Sequence, residues 1–353
     1  MRAVPPVGGS GESIDSLPDG VLEHILGFLP SPEAVRSSVL ARRWRHLWKS
    51  ATGVRIGRRN ELMSVELVRS LVNHLMLLRG DSPLDICELT FGDFGEQDDV
   101  AHVNLWFRRV VMCKARVLRL LLLGGDYLDD LYSWLELHNL PLVSEHLTRL
   151  LLGGVRVHNK LLDFSRCLAL EHLEIECCNL SMVTEISSDS LKHLHIDDVL
   201  LCRDSRTRIY APNLVSLFLD LLCRNCRLLE GLSDAKHLAL ISEPKKFIFK
   251  RDLRFCPMFQ KLKTLLLNDY WCVPDDFDAL SCMLEHSPVL EELTLLLGSK
   301  MNLRVSSTKR SAAISEHLKK VELKCNVVDD RVLKILKFLC TLFNINSINI
   351  SKN

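Results

Sequence analysis

The chain has 353 residues, 47% hydrophobic but only 6% aromatic, and a formal net charge of +1. That length fits two domains, or one domain with an elongated array, around an aliphatic core. The near-neutral balance excludes bulk attraction to nucleic acid or an anionic membrane, and no apolar run approaches the ~20 residues of a membrane span.

The opening MRAVPPVGGSGES is polar and Gly-rich, with no apolar core of a secretory signal. Residues 1–13 read as a disordered leader. The thirteen cysteines are an odd number. Together these point to a reducing compartment, nucleus and/or cytoplasm, with free and mostly buried thiols.

Residues 15–49 carry the densest signal. Val21, Leu22, Ile25, Leu26 and Leu29 fall on one face of a helix. Ser16 with Asp19 fits a capping box. Pro30 ends the helix, and Ser31-Pro32 predicts a second helix with Ser31 as N-cap. A third is expected from about Ala41, carrying Trp44, Leu47 and Trp48 on one side. Pieces this short are marginal alone, and so small a unit cannot bury that many large apolar groups. The physical reading is a docking module completed by another protein; the alternative is a helical cap on the next domain.

The stretch resembles the F-box motif in its plant form: LP near the start, then ILGFLP, a middle SVL, and RRWRHLW. The resemblance implies binding to the Skp-family adaptor and, through it, to cullin and RING subunits. By that resemblance Leu17, Pro18, Ile25, Leu26, Leu29, Val35, Val39, Trp44 and Leu47 fall at adaptor-contact or supporting positions.

Between Arg36 and Asn60 there are eight Lys/Arg and no Asp or Glu. Arg42, Arg43 and Arg45 alternate with buried positions and read as a solvated face. No nucleic-acid reading motif surrounds them.

From about residue 60 the chain repeats itself. The pattern L-x-x-L-x-L, with aliphatic substitutions, starts at Ile86, Val117, Leu147, Leu170, Leu191, Leu214, Ala235, Leu262, Leu290, Leu318 and Ile345. The steps are 31, 30, 23, 21, 23, 21, 27, 28, 28 and 27 residues. Steps of 20–29 residues are the period of leucine-rich repeats, and the chain resembles that superfamily over roughly residues 84–350. Each hexamer ends as a short strand whose apolar side has no partner in its own repeat, so stacked copies share one core. The longer repeats leave room for convex helices, expected at Val100–Met112 and Asp275–Leu284. Cys177 or Cys178, and Cys325, sit near the Asn/Cys position that follows the strand. The segment from His317 also resembles the FBD-type end of plant F-box proteins and is expected as a strand–helix–strand cap.

The expected fold class is thus α/β (an α+β repeat), a three-helix F-box followed by a leucine-rich-repeat solenoid with a parallel concave sheet. The expected boundaries are leader 1–13, F-box 14–52, helical linker 53–83, repeats 84–316 and terminal repeat or FBD-like cap 317–353.

No catalytic, cofactor or metal site is expected. Cys223-Arg-Asn-Cys226 lacks a second ligand pair, Asp15 to Asp19-Gly20 puts leucines at calcium-ligand positions, and GGSG precedes no strand or Lys. One constellation emerges from the register. With hexamer positions 1, 4 and 6 inward, positions 3, 5 and 7 place His172, Glu174, Glu176, His193, His195, Asp197, Phe218 and Asp220 on neighbouring concave strands. This reads either as a solvated face, a partner surface or, in its sharpest form, a metal site. Leu121, Leu123 and Leu151 are outward and apolar, and call for contact or cover. The function implied is a non-catalytic substrate receptor of an SCF-type ubiquitin ligase, with the F-box on the adaptor and the repeats on an unknown target protein. A ligase-independent interaction scaffold is the alternative.

Overall fold

In the computed structural model the described residues are 14–57, 64–92, 97–123, 134–138, 142–201, 207–221, 229–242, 256–272, 277–298, 317–342 and 348–352. The leader 1–13, Cys223 and Cys226 lie outside them.

The N-terminal module holds helices α1 (Asp19–Leu26) and α2 (Ser31–Arg36), then 3-10 turns at Ser37–Val39, Arg42–Arg45 and Leu47–Ser50. The expected third helix is therefore two tight turns, which place Trp44, Leu47 and Trp48 inward within a few residues. The capping expectations also change. Pro18 and Pro30 take the N-cap positions, and neither offers a side-chain acceptor. Asp19 instead accepts from Arg43 Nη2 at 2.6 Å, and Ser31 Oγ accepts from Arg55 N at 3.0 Å.

That last bond reaches the next element. The strands in chain order begin with β1 (Gly53–Ile56), β2 (Ile86–Gly92), β3 (Val117–Leu123), β4 (Leu135–Leu137), β5 (Arg149–Gly153) and β6 (Val155–Val157). Then come β7 (Leu161–Asp163), β8 (His172–Glu176), β9 (Asn179–Leu180), β10 (Glu185–Ser187), β11 (His193–Leu201) and β12 (Arg208–Tyr210). The last are β13 (Ser216–Leu221), β14 (His237–Ser242), β15 (Thr264–Asn268), β16 (Glu292–Leu297), β17 (Lys320–Cys325) and β18 (Ile348–Ser351). A 15-stranded sheet follows the path β1-β2-β3-β5-β8-β11-β13-β14-β15-β16-β17-β18. Its neighbours pair in parallel, as stacked repeats require. Every expected hexamer supplies a rung. The stretch 53–83 adds one more, β1, so it is not purely a helical linker.

The inward assignment holds: Leu173, Ile175, Leu194, Ile196, Leu217 and Leu219 are all at most 1% exposed. Each such side chain contributes ~1.5–3 kcal/mol by burial. Two register details differ from the sequence frame. Leu118 pairs with both Cys87 and Leu150, so the first two repeats start at Leu84 and Ala115, both buried, two residues earlier than the hexamers suggest. A shift of two leaves the strand residues from position 3 onward on their faces, but it turns Ile86 and Val117, expected inward, to the concave side beside Arg149. Between β13 and β14 the register slides, pairing Leu217 with Leu240.

Helices α3 (Val65–Arg79), α4 (Gln97–Met112) and α5 (Asp278–Glu285) cover the convex side of longer repeats. Repeats of 21–23 residues have no room for a helix, and the strands β7, β10 and β12 form a small parallel sheet there instead. At the end, β17, helix α6 (Asp330–Leu342) and β18 run as strand–helix–strand. Cys178 acts at its expected position: its Sγ donates to the Leu152 carbonyl of the preceding rung, at 3.5 Å. Asn268 does the same on β15 through Ser242 O, at 2.7 Å.

The module and the array meet backbone to backbone. A Cβ on Gly53 would stand 2.2 Å from Gly27 O, and one on Gly27 would stand 2.7 Å from Gly53 N. Only glycine fits on either side. Behind this contact Leu22, Leu26, Trp44, Trp48, Val54 and Val72 belong to one buried cluster.

Two outcomes test these assignments. Leu194→Asp buries a charge between dependent rungs and should unfold the array, whereas His193→Asp should shift Tm little; thermal unfolding of both variants side by side decides, and the reverse result would invert every rung. Gly53→Ala should destabilise the chain by ~1–3 kcal/mol, since backbone rather than a flexible side chain opposes the new methyl. An unchanged denaturation midpoint would contradict the close approach.

Candidate adaptor-docking and partner-recognition surfaces

The nine expected adaptor-motif residues divide by burial. Leu26, Trp44 and Leu47 are buried, while Leu17, Ile25, Leu29 and Val35 are half-buried against the core. Pro18 and Val39 are exposed. The module also presents Phe28, Leu40 and Val21 to solvent, and Val39 is 84% and Leu40 72% exposed. The sequence frame had put Val21 on the inner face; one residue of helical rotation turns it out. Both halves of the sequence argument thus apply at once. The inner face is completed by β1 and α3 of the same chain, and an apolar outer face remains. Arg42, Arg43 and Arg45 are exposed, and Arg43 also donates to the Leu17 carbonyl, fixing the LP turn to the RRWR turn.

On the concave face, register aligns Arg149 with His172, His193 and Ser216, and Leu151 with Glu174, His195 and Phe218. His172 and His193 stack with centroids 4.4 Å apart and planes at 14°. His195 and Phe218 stack at 4.2 Å and 6°. His193 Nδ1 lies 2.7 Å from Ser216 Oγ. Stacking leaves His172, His193 and Phe218 half-buried rather than fully exposed, as their outward position alone had suggested. Together with Glu174, His195 and Ile241 they line a hollow of about 250 Å³. Glu176 and Asp197 are neighbours on adjacent rungs. The Asp220 side chain lies outside the described residues.

Toward the N-terminal end the concave face carries charges that the hexamer reading missed. Glu88 takes Arg55 at 3.2 Å and Arg119 at 3.3 Å from the rungs on either side. Arg149 pairs with Glu174 across one rung. Arg55 Nη1, Arg119 Nε and Arg149 Nε are buried donors with no acceptor. The signal was available, since Glu88 and Arg119 occupy outward positions, but Arg55 needed the unrecognised first rung. Of the apolar outward residues, Leu151 is 5% exposed and lies between Arg119 and Glu174 across the rungs.

Burial first, then the charges of His193 and Arg149, hold the His172 imidazole below its ordinary value of 6.5. The neutral ring is what the folded state prefers. Its contribution to stability is complete above pH 6.5 and is lost as the pH falls from there through the folded value. NMR titration should therefore find His172 protonating below 6.5, and His193→Gln should raise it part of the way by removing a like charge. A His172 midpoint at or above 6.5 would show that the stack is not formed as described.

Known proteins share this organisation. An F-box domain model matches residues 14–52. A putative F-box/LRR-repeat protein of Arabidopsis thaliana is 26% identical over 342 residues, covering 81% of this chain and 72% of that protein. An FBD-associated F-box protein from the same plant is 26% identical over 360 aligned residues, covering 84% of this chain and 78% of the relative. F-box/LRR-repeat protein 13 of Arabidopsis thaliana is 26% identical over 215 residues, 52% of this chain and 46% of its own. Fold, register and these matches define an F-box protein. It belongs to the plant F-box/LRR family. Among the described residues, no helix is long and apolar enough to cross a membrane.

Proposed function

We propose that the chain is the target-recognition subunit of an SCF-type ubiquitin ligase. Its F-box would dock on the Skp-family adaptor, and through it on cullin and RING subunits, while the concave face would hold a target protein. The observation that carries this reading is the pairing of an apolar exposed face, Pro18 to Leu40, with a separate recognition hollow on the same rigid array. The chain would make no bond itself; it would supply proximity and orientation. Pro18 and Val39 would touch the adaptor directly, with Leu17, Ile25, Leu29 and Val35 at the edge of the contact. Leu26, Trp44 and Leu47 would support it from beneath.

The target would meet His172, Glu174, His193, His195, Asp197 and Phe218, with Asp220 on the same strand. Phe218 and the stacked imidazoles offer rigid flat area, and Glu174 and Asp197 offer charge, the combination that gives an interface both anchor and specificity. No disulfide joins the described cysteines, which suits the reducing interior of the nucleus or cytoplasm.

The test is adaptor binding with Val39→Asp/Leu40→Asp against the wild-type chain. Both residues are exposed, so the fold should survive, while binding should fall by at least about tenfold for each apolar side chain that the adaptor would otherwise cover. Trp44→Ala should instead lower the thermal stability of the module by ~3–5 kcal/mol. Undiminished adaptor affinity in the double variant would refute the docking face. Adaptor capture without cullin in the same complex would favour a ligase-independent scaffold.

A further inference from the structure

Three soft ligand side chains meet on the convex side, where the loop before β15 lies against the end of α5. Cys282 is on α5, and His286 follows its last turn. Four residues apart, they share a helix face. Phe259 N donates to the His286 carbonyl at 2.8 Å, which fastens the loop carrying Cys256 to that helix end. One ligand atom from each of Cys256, Cys282 and His286 lies within 4.8 Å of the other two. Cys282 Sγ is 3.9 Å from His286 Nδ1, and the Cys256 thiol hydrogen-bonds the Cys282 sulfur. All three residues are half-buried, so an ion has a path in.

We propose that Cys256, Cys282 and His286 form a zinc site whose fourth position is open to water or to a ligand from a partner. Two thiolates and an imidazole select zinc over magnesium or calcium. Around tetrahedral zinc, with Zn–S near ~2.3 Å and Zn–N near ~2.0–2.1 Å, donors stand roughly 3.5–3.8 Å apart. The cluster therefore closes by roughly 1.3 Å at most. The imidazole is already steered: Nδ1 lies 2.8 Å from the Cys282 carbonyl oxygen. That nitrogen is also the one facing Cys282 Sγ, so zinc bound to it would replace the carbonyl bond that until then sets the ring plane. Ordinary core thiols in the chain look different. Cys87 and Cys178 are fully buried, and burial pushes both up to about 12, where they neither ionise nor coordinate. Binding exchanges two thiol protons for the cation, so affinity must rise with pH until both sulfurs are thiolate.

The test uses the full-length chain, reduced and stripped with a chelator. Cobalt(II) should bind one per chain and give the near-ultraviolet band of thiolate-to-metal charge transfer, and zinc should displace it. Cys256→Ser and His286→Ala should each weaken zinc binding by at least about tenfold, whereas Cys223→Ser/Cys226→Ser should leave it unchanged. A second measurement needs no variant: zinc should protect Cys256 and Cys282, but not the exposed Cys340, from iodoacetamide, as read by peptide mass. Absence of the cobalt band overturns the site. So does a band undiminished by Cys256→Ser, or a Cys256–Cys282 disulfide in chain acid-trapped from cells.

Discussion

Every rung of this protein has an apolar side that its own repeat cannot cover. Leu173 and Ile175 on β8 are buried by β5 on one side and β11 on the other, and the inner rungs of the path repeat this; the last rung, β18, has only β17 beside it and leaves Ile350 exposed. The architecture follows from that incompleteness. A strand with period-two apolar residues and no local partner is stable only in a stack. The stack, once formed, puts every alternate residue on one concave surface. The recognition hollow is thus a by-product of core packing: His172, His193 and His195 face outward because Leu173, Leu194 and Ile196 must face in.

The same logic governs the N-terminal module. Its short helices and turns bury Leu22, Leu26, Trp44 and Trp48 only because β1 and α3 lie beneath them. What β1 and α3 do not cover stays apolar and exposed: Val39 and Leu40, with Phe28 only partly screened by Arg55 of β1. A fully satisfied cap would show no such remainder, and an isolated module would lack an inner floor.

Much of this was legible in the sequence, because the repeat period and the alternation act locally. Each hexamer marks a strand of the sheet, and in the middle repeats, from Leu147 to Leu214, the inward and outward residues were readable from spacing alone. What escaped had non-local causes. The first rung, β1, carries the frame in Ala51, Val54 and Ile56, but it follows directly on the F-box turns inside the basic run, and pairing with β2 is what reveals it. The third F-box helix gave way to 3-10 turns because burying Trp44, Leu47 and Trp48 together outweighs helical propensity. The stacked pairs His172–His193 and His195–Phe218 required the register between separate repeats. The cluster of Cys256, Cys282 and His286 joins residues 26 and 30 positions apart, since 282 − 256 = 26 and 286 − 256 = 30, and no motif spacing announces it.

The glycine contact between Gly27 and Gly53 has a geometric consequence. With backbone against backbone and no side chain to act as a cushion, the docking module has no hinge on the first rung. The stack then works as a ruler. The hollow begins four rungs beyond β1, at β8, and ends seven beyond it, at β14. At ~4.8 Å per rung it lies roughly 20–35 Å along the sheet from the junction. Whatever the concave face holds is carried at a set distance and heading from whatever the F-box grips, and inserting or deleting one early repeat would move the cargo by a single graduation.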